Sequence, residues 1–138
     1  RRQFFNIIQE LAGGGATVIV STHFMDEAER CDKIAFFHQG RLLALDTPDQ
    51  LKKGLDGYMV KLEVTDPFKQ MEILASLPFV KDCSFQGLSL RLLLNDGNGL
   101  AELEKVTGFK PVKLIPNLED VFINLLRQQG GEERRELA

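Results

Sequence analysis

Cysteine is scarce in this chain. Cys31 and Cys83 lie far apart, with no CxxC pair and no cysteine–histidine spacing of a metal site. A disulfide framework or a zinc finger is therefore not encoded, and the plain expectation is two reduced, buried thiols in a cytoplasmic protein. Long apolar runs are also missing. None approaches the roughly 20 residues that span a bilayer, and no signal peptide opens the chain, so any membrane role is indirect. There is no basic excess either: 17 Lys and Arg stand against 20 Asp and Glu, for a net charge of -3. That balance argues against a dedicated nucleic-acid binder, though a local basic patch stays open. Gly13-Gly14-Gly15 is not a phosphate loop, because no Lys-Ser/Thr follows it and the next segment reads as a strand instead of a helix.

What is present is a packed globular composition. The chain has 138 residues, 43% of them hydrophobic and 27% charged, enough for one ordinary domain or two small ones. It opens on Arg1-Arg2-Gln3-Phe4-Phe5, already inside a helical pattern and without an initiator Met, like a piece of something longer. Phe4, Ile7, Ile8 and Leu11 keep helical spacing, and the glycine triplet ends that helix. Ala16 to Val20 carries no charge and reads as a strand buried on both faces, of the kind found in parallel sheets. The carboxyl ends of such strands are where ligands sit, which places His23 at the lip of a binding crevice. A short helix over Met25 to Cys31 follows. Lys33 to Phe37 and Arg41 to Leu45 then flank a Gln39-Gly40 turn as a β-hairpin. Thr47-Pro48-Asp49-Gln50 is a helix start, with threonine as cap and proline at the first position.

After a junction at Gly54 to Gly57 the pattern changes. Tyr58, Val60, Leu62 and Val64 alternate with Met59, Lys61, Glu63 and Thr65, as in a half-buried strand. Asp66-Pro67 opens a helix whose Phe68, Met71, Leu74 and Ala75 share a face. Strands are expected around Val80 to Phe85 and Leu88 to Leu94, joined at Gln86-Gly87. A second helix and a strand over Pro111 to Ile115 complete the order β-α-β-β-α-β, a split βαβ or ferredoxin-like unit. Asn117 caps a last helix striped by Leu118, Val121, Phe122, Leu125 and Leu126. The polar stretch from Gln128 to Ala138 reads as a disordered tail or linker.

The stretch Ser21-Thr22-His23-Phe24-Met25-Asp26-Glu27-Ala28-Glu29 carries a resemblance. So do Cys31-Asp32-Lys33-Ile34, Gly40-Arg41-Leu42 and Thr47-Pro48-Asp49-Gln50-Leu51, in that order. From Arg1 to about Lys53 the chain resembles the last part of an ABC transporter nucleotide-binding domain, beginning after the D-loop. The Met-Asp-Glu-Ala-Glu version, with a tail ending in Leu118-Glu119-Asp120-Val121-Phe122, looks like the drug- and polysaccharide-exporter branch called ABC-2. Asp46 departs from the glycine that many relatives carry before Thr-Pro, a change expected to alter a turn and leave the chemistry untouched. The phosphate loop, Q-loop, signature motif, Walker B strand and D-loop of that family would all precede Arg1.

The resemblance implies an α/β fold in two parts. Residues 1–56 would be the C-terminal remnant of a P-loop NTPase domain with its H-loop, and residues 57–127 a small ferredoxin-like α+β accessory domain. Residues 128–138 would be a tail. It implies that His23 is the switch histidine, donating a hydrogen bond to the γ-phosphate of ATP and holding the attacking water in line. Ser21 and Thr22 would shape the turn or cap the next helix, with nucleotide contact as the lesser alternative. The acids Asp26, Glu27 and Glu29 are read as helix-dipole partners and solvated charges, with no metal site. His38 is read as a surface residue and Arg41 as a turn charge. The parent would use ATP and Mg²⁺, pair with a second nucleotide-binding domain, and drive a transmembrane permease from the cytoplasmic face of the membrane. The fragment alone is expected to be inactive, to bind no cofactor tightly and to self-associate through apolar surface at Phe4, Ile7 and Val18.

Two alternatives stay open: a non-enzymatic regulatory or dimerisation module, and a soluble ABC ATPase without transport. RNA binding by the second sheet is disfavoured because Leu88-Ser89-Leu90-Arg91-Leu92 offers no aromatic to stack on a base. Small-molecule sensing by that unit remains the weaker option beside packing or dimer contact.

Overall fold

The structure is a computed structural model that describes residues 2–136, with side chains described through residue 130. Arg1 and residues 137–138 lie outside the described residues. In chain order the elements are α1 (Arg2–Gly13), α2 (Met25–Ala28), the strands β1 (Ile34–His38) and β2 (Arg41–Asp46), and α3 (Pro48–Lys53). The second half comprises β3 (Tyr58–Glu63), α4 (Pro67–Ala75), β4 (Val80–Gln86), β5 (Ser89–Leu94), α5 (Gly99–Thr107), β6 (Val112–Lys113) and α6 (Leu118–Glu136).

Both sheets are antiparallel. β1 and β2 form a two-stranded ribbon, and the other four strands form a sheet in the order β4-β5-β3-β6. The β1–β2 turn places Gln39 at φ 50° and Gly40 at φ 74°. Two consecutive left-handed residues give the turn whose twist matches that of the flanking strands. At the junction, Gly57 has φ 141°, and a Cβ there would sit 2.7 Å from both the Leu93 side chain and the Leu94 carbonyl oxygen. Only glycine lets the chain enter β3 so close to β5.

The four-stranded sheet is covered on both faces. Val60, Leu62, Cys83, Leu90, Leu92 and Leu94 point to one side, where they pack with Leu74 of α4 and Leu103 of α5. Met59, Asp82, Arg91 and Leu93 face the other side, toward Asp120 and Ile123 of α6. Burial on both faces explains why β5 reads as an almost unbroken leucine run. Each leucine so buried contributes about 1.5–3 kcal/mol relative to exposure.

The α6 stripe looks away from that sheet. Leu118 and Val121 share a buried cluster with Ala28, Ile34, Phe36 and Leu51, and Phe122 and Leu125 pack against it. The Phe122 ring lies 5.2 Å from that of Phe36. One helix thus joins the ribbon of the first half to the sheet of the second.

Several expectations change. Ala16 to Val20 forms no strand, and Ile19 is 93% exposed. An extended segment needs a neighbour to pair its backbone groups, and among the described residues none lies beside it. The short helix stops at Ala28 and does not reach Cys31. Phe68 is exposed against the Phe85 ring, with centroids 4.9 Å apart, and does not enter the core with Leu74. The β4–β5 turn falls at Gly87-Leu88, and the strand expected over Pro111 to Ile115 shrinks to two residues. Gln128 to Glu136, expected as a tail or linker, continues α6. Helix propagation adds one hydrogen bond for each residue fixed, so a docked helix extends readily into a polar sequence with few breakers.

Candidate functional site

Ser21, Thr22 and His23 come together on one open cleft of about 480 Å³. Phe4 and Ile8 of α1 form its apolar wall, and Glu27 closes the side nearest α2. All three candidates are exposed. The local turn is built by Thr22, whose hydroxyl oxygen accepts from the Phe24 amide at 3.1 Å and whose hydroxyl donates to the Glu27 carboxylate. The Thr22 hydroxyl thus closes the turn that leads into α2. Phe24 occupies the cap position of α2 without a side-chain cap bond. The His23 ring is tilted by 35° against that of Phe24, with centroids 4.2 Å apart. The imidazole is thereby held at the cleft mouth, facing solvent.

The acids divide between two tasks. Glu27 joins the turn, whereas Glu29 meets Lys52 of α3 at 2.8 Å. Asp26 is exposed on the first turn of α2. His38 is exposed at the β1 end, away from the cleft lining. Among the described residues, no group of three or more His, Cys, Asp or Glu is arranged to hold a metal ion. Cys31 is half-buried instead of fully buried, and its thiol is pushed up by burial and by the nearby Asp32 and Glu27 carboxylates.

The structure also exposes a polar site that spacing alone did not reveal. Arg91 and Asp120, 8% and 6% exposed, form a bidentate pair, Nε to Oδ1 at 3.0 Å and Nη2 to Oδ2 at 2.6 Å. The Arg91 Nη1 donates to Gln86 Oε1 at 3.0 Å. Asp120 also accepts from the Asn117 amide, while its own amide donates to Asn117 Oδ1, both at 2.9 Å. Beside this pair, buried Asp82 accepts from Asn124 at 3.0 Å and pairs with Arg127 at 2.8 Å. The sequence signal was there: an arginine inside a leucine run, and an Asn-x-x-Asp spacing at a helix start.

No family model matches the chain. Along nearly its whole length, however, the chain is related to ABC transporter ATP-binding proteins. It is 31% identical over 140 residues to the probable multidrug ABC transporter ATP-binding protein YbhF of Escherichia coli, covering 96% of this chain and 24% of that protein. It is likewise 31% identical over 128 residues to the Nod factor export ATP-binding protein I of Burkholderia lata, covering 91% of this chain and 41% of that protein. The same export protein of Rhizobium etli matches at 31% over 128 residues. The chain therefore spans between 24% and 41% of the length of these relatives. No described helix is long and apolar enough to cross a membrane.

Proposed function

We propose that this chain is the His23-bearing, C-terminal segment of the ATP-hydrolysing subunit of an ABC-2 type exporter. The observation that carries the reading is the placement of His23 beside Ser21 and Thr22 on one open cleft, two residues ahead of α2, in a chain 31% identical to a multidrug ABC transporter ATP-binding protein and to a Nod factor export ATP-binding protein. ATP with Mg²⁺ would supply the phosphoryl group and its charge neutralisation. The residues present fit one part of that task. His23 offers an exposed donor, whereas among the described residues the cleft lining has no cationic side chain beside it and no glycine-rich turn to cradle phosphates. His23 would donate to the γ-phosphate and keep the attacking water in line, and Thr22 would hold the turn that aims the ring. The rest of the phosphate site would come from other residues of the parent, so this chain alone neither binds Mg-ATP tightly nor hydrolyses it.

We further infer that residues 57–127 form a ferredoxin-like accessory module; the strand order β4-β5-β3-β6 with α4 and α5 on one face supports it. In the parent, the partners would be a transmembrane permease and a second nucleotide-binding domain, at the cytoplasmic face of the membrane. The test is His23→Ala in the full-length parent. Steady-state ATP turnover falls about 100-fold while the protein stays folded. Unchanged turnover would remove the switch role.

A further inference from the structure

We propose that the buried Arg91–Asp120 pair is a positioning device for the His23 segment. It fixes α6 on the four-stranded sheet, and α6 in turn fixes α2, the helix that begins two residues after His23. The positioning itself is a property of this chain; its consequence for ATP turnover rests on the function proposed above.

The case starts from α2. Four residues make barely one turn, too few to be stable alone, so its place is set by its neighbours. Ala28 is buried in the cluster that holds Leu118, Val121 and Leu51, and Met25 packs against the same cluster. The end of the turn is tied by Glu29 to Lys52 at 2.8 Å and by Arg30, whose guanidinium lies 5.5 Å from the Phe5 ring centre. Two residues of the cluster that holds Ala28, Leu118 and Val121, flank Asp120 on α6. Whatever sets the register of Asp120 therefore sets Leu118 and Val121, and through them α2.

Arg91 is suited to set that register. A bidentate guanidinium–carboxylate fork fixes both distance and orientation, which an apolar contact does not. Its strand is the second from the edge, paired on both sides by β3 and β4, so the anchor is rigid. The space between α6 and the sheet here is about 10 Å³, no more than a single water. From α2 the path reaches the candidate site through one further bond, from the Thr22 hydroxyl to Glu27. A pair that served stability alone would be replaceable by apolar residues and would loosen all elements alike when broken. The proposed role instead predicts a local, directional effect.

The test uses Asp120→Asn, which keeps the shape and removes the charge, with Glu63→Gln on the exposed Lys61–Glu63 pair as control. Hydrogen exchange by NMR on the 138-residue chain reads the Ala28, Glu29, Arg30 and Cys31 amides, all bonded within the α2 turn. In Asp120→Asn these exchange about tenfold faster, while Val60 and Leu92 stay within about twofold. The His23 imidazole cross-peak shifts in Asp120→Asn and not in the control. If Asp120→Asn melts the chain, Arg91→Lys, which keeps the charge and loses the fork, gives the same reading more mildly. Protection at Ala28 to Cys31 equal to the control, or uniform acceleration across the chain in Arg91→Lys, overturns the proposal. In the parent, Asp120→Asn lowers kcat about tenfold with KM for ATP unchanged. If His23→Ala leaves turnover untouched, the functional reading fails while the exchange result still decides the positioning.

Discussion

Burial of Cys83 against the leucine sheet pushes its thiol up to about 11, with Asp82 adding to the rise and Arg127 opposing it. A thiol pushed up in this way keeps its proton in the folded chain at a pH where the unfolded chain has lost it. Its contribution to stability is thus fully present below pH 9 and is lost as pH climbs toward 11. Urea unfolding from pH 8 to 11 should show a falling stability whose slope lessens in Cys83→Ala, by at most about 1.4 kcal/mol per pH unit. An unchanged slope would mean that the thiol does not titrate with unfolding. The sequence allowed both cysteines to be read as buried thiols, and only packing separated Cys83, wholly enclosed, from Cys31, half-open beside two carboxylates. His23 was legible as a residue but not as a placement, since its ring is set by Phe24 and by the turn that Thr22 and Glu27 close.

Local chemistry fixed the elements best where the stop and start signals were strong. Thr47 accepts from the Gln50 amide at 3.2 Å, Pro48 begins α3, and Lys52 and Lys53 lie in its last turn. Such a helix is written in six residues of sequence. Thr47→Ala should cost about 1 kcal/mol in chemical denaturation, with Thr47→Ser nearly neutral. Equal stability of wild type and Thr47→Ala would show that packing of Leu51 alone holds α3. Periodicity failed where a partner decides the state. Ala16 to Val20 has the composition of a central strand, yet a strand without a neighbour has unpaired backbone groups and stays irregular. Phe68 sits at core spacing on α4 but pairs with Phe85 outside the core.

Across the whole molecule, large apolar side chains lie exposed in both halves, and in the first half most of them sit on α1 and the ribbon. Phe4, Ile7 and Leu11 on α1 are each more than half exposed, and Phe37, Leu42 and Leu45 lie open on the ribbon. Such surface usually lies against another surface. At micromolar concentration the chain should therefore self-associate by light scattering, and the double variant Ile7→Glu with Leu11→Glu should shift it toward monomer. A wild-type chain that stays monomeric would contradict this.

The proline-opened helices and the glycine turns were determined by the sequence itself, because they depend on residues within a few positions of one another, whereas β3, read as half-buried, is covered on both faces because α6 buries Met59. The resemblance to ABC ATP-binding proteins was legible in the local stretch around His23, and the similarity to them runs along nearly the whole chain. The tertiary structure alone decided that α6 lies between the sheet and the ribbon, and that Arg91 and Asp120 meet 29 positions apart. Those outcomes rest on contacts between elements distant in the chain. An ion pair of that kind gains enough to offset burial only when both partners are brought into one geometry.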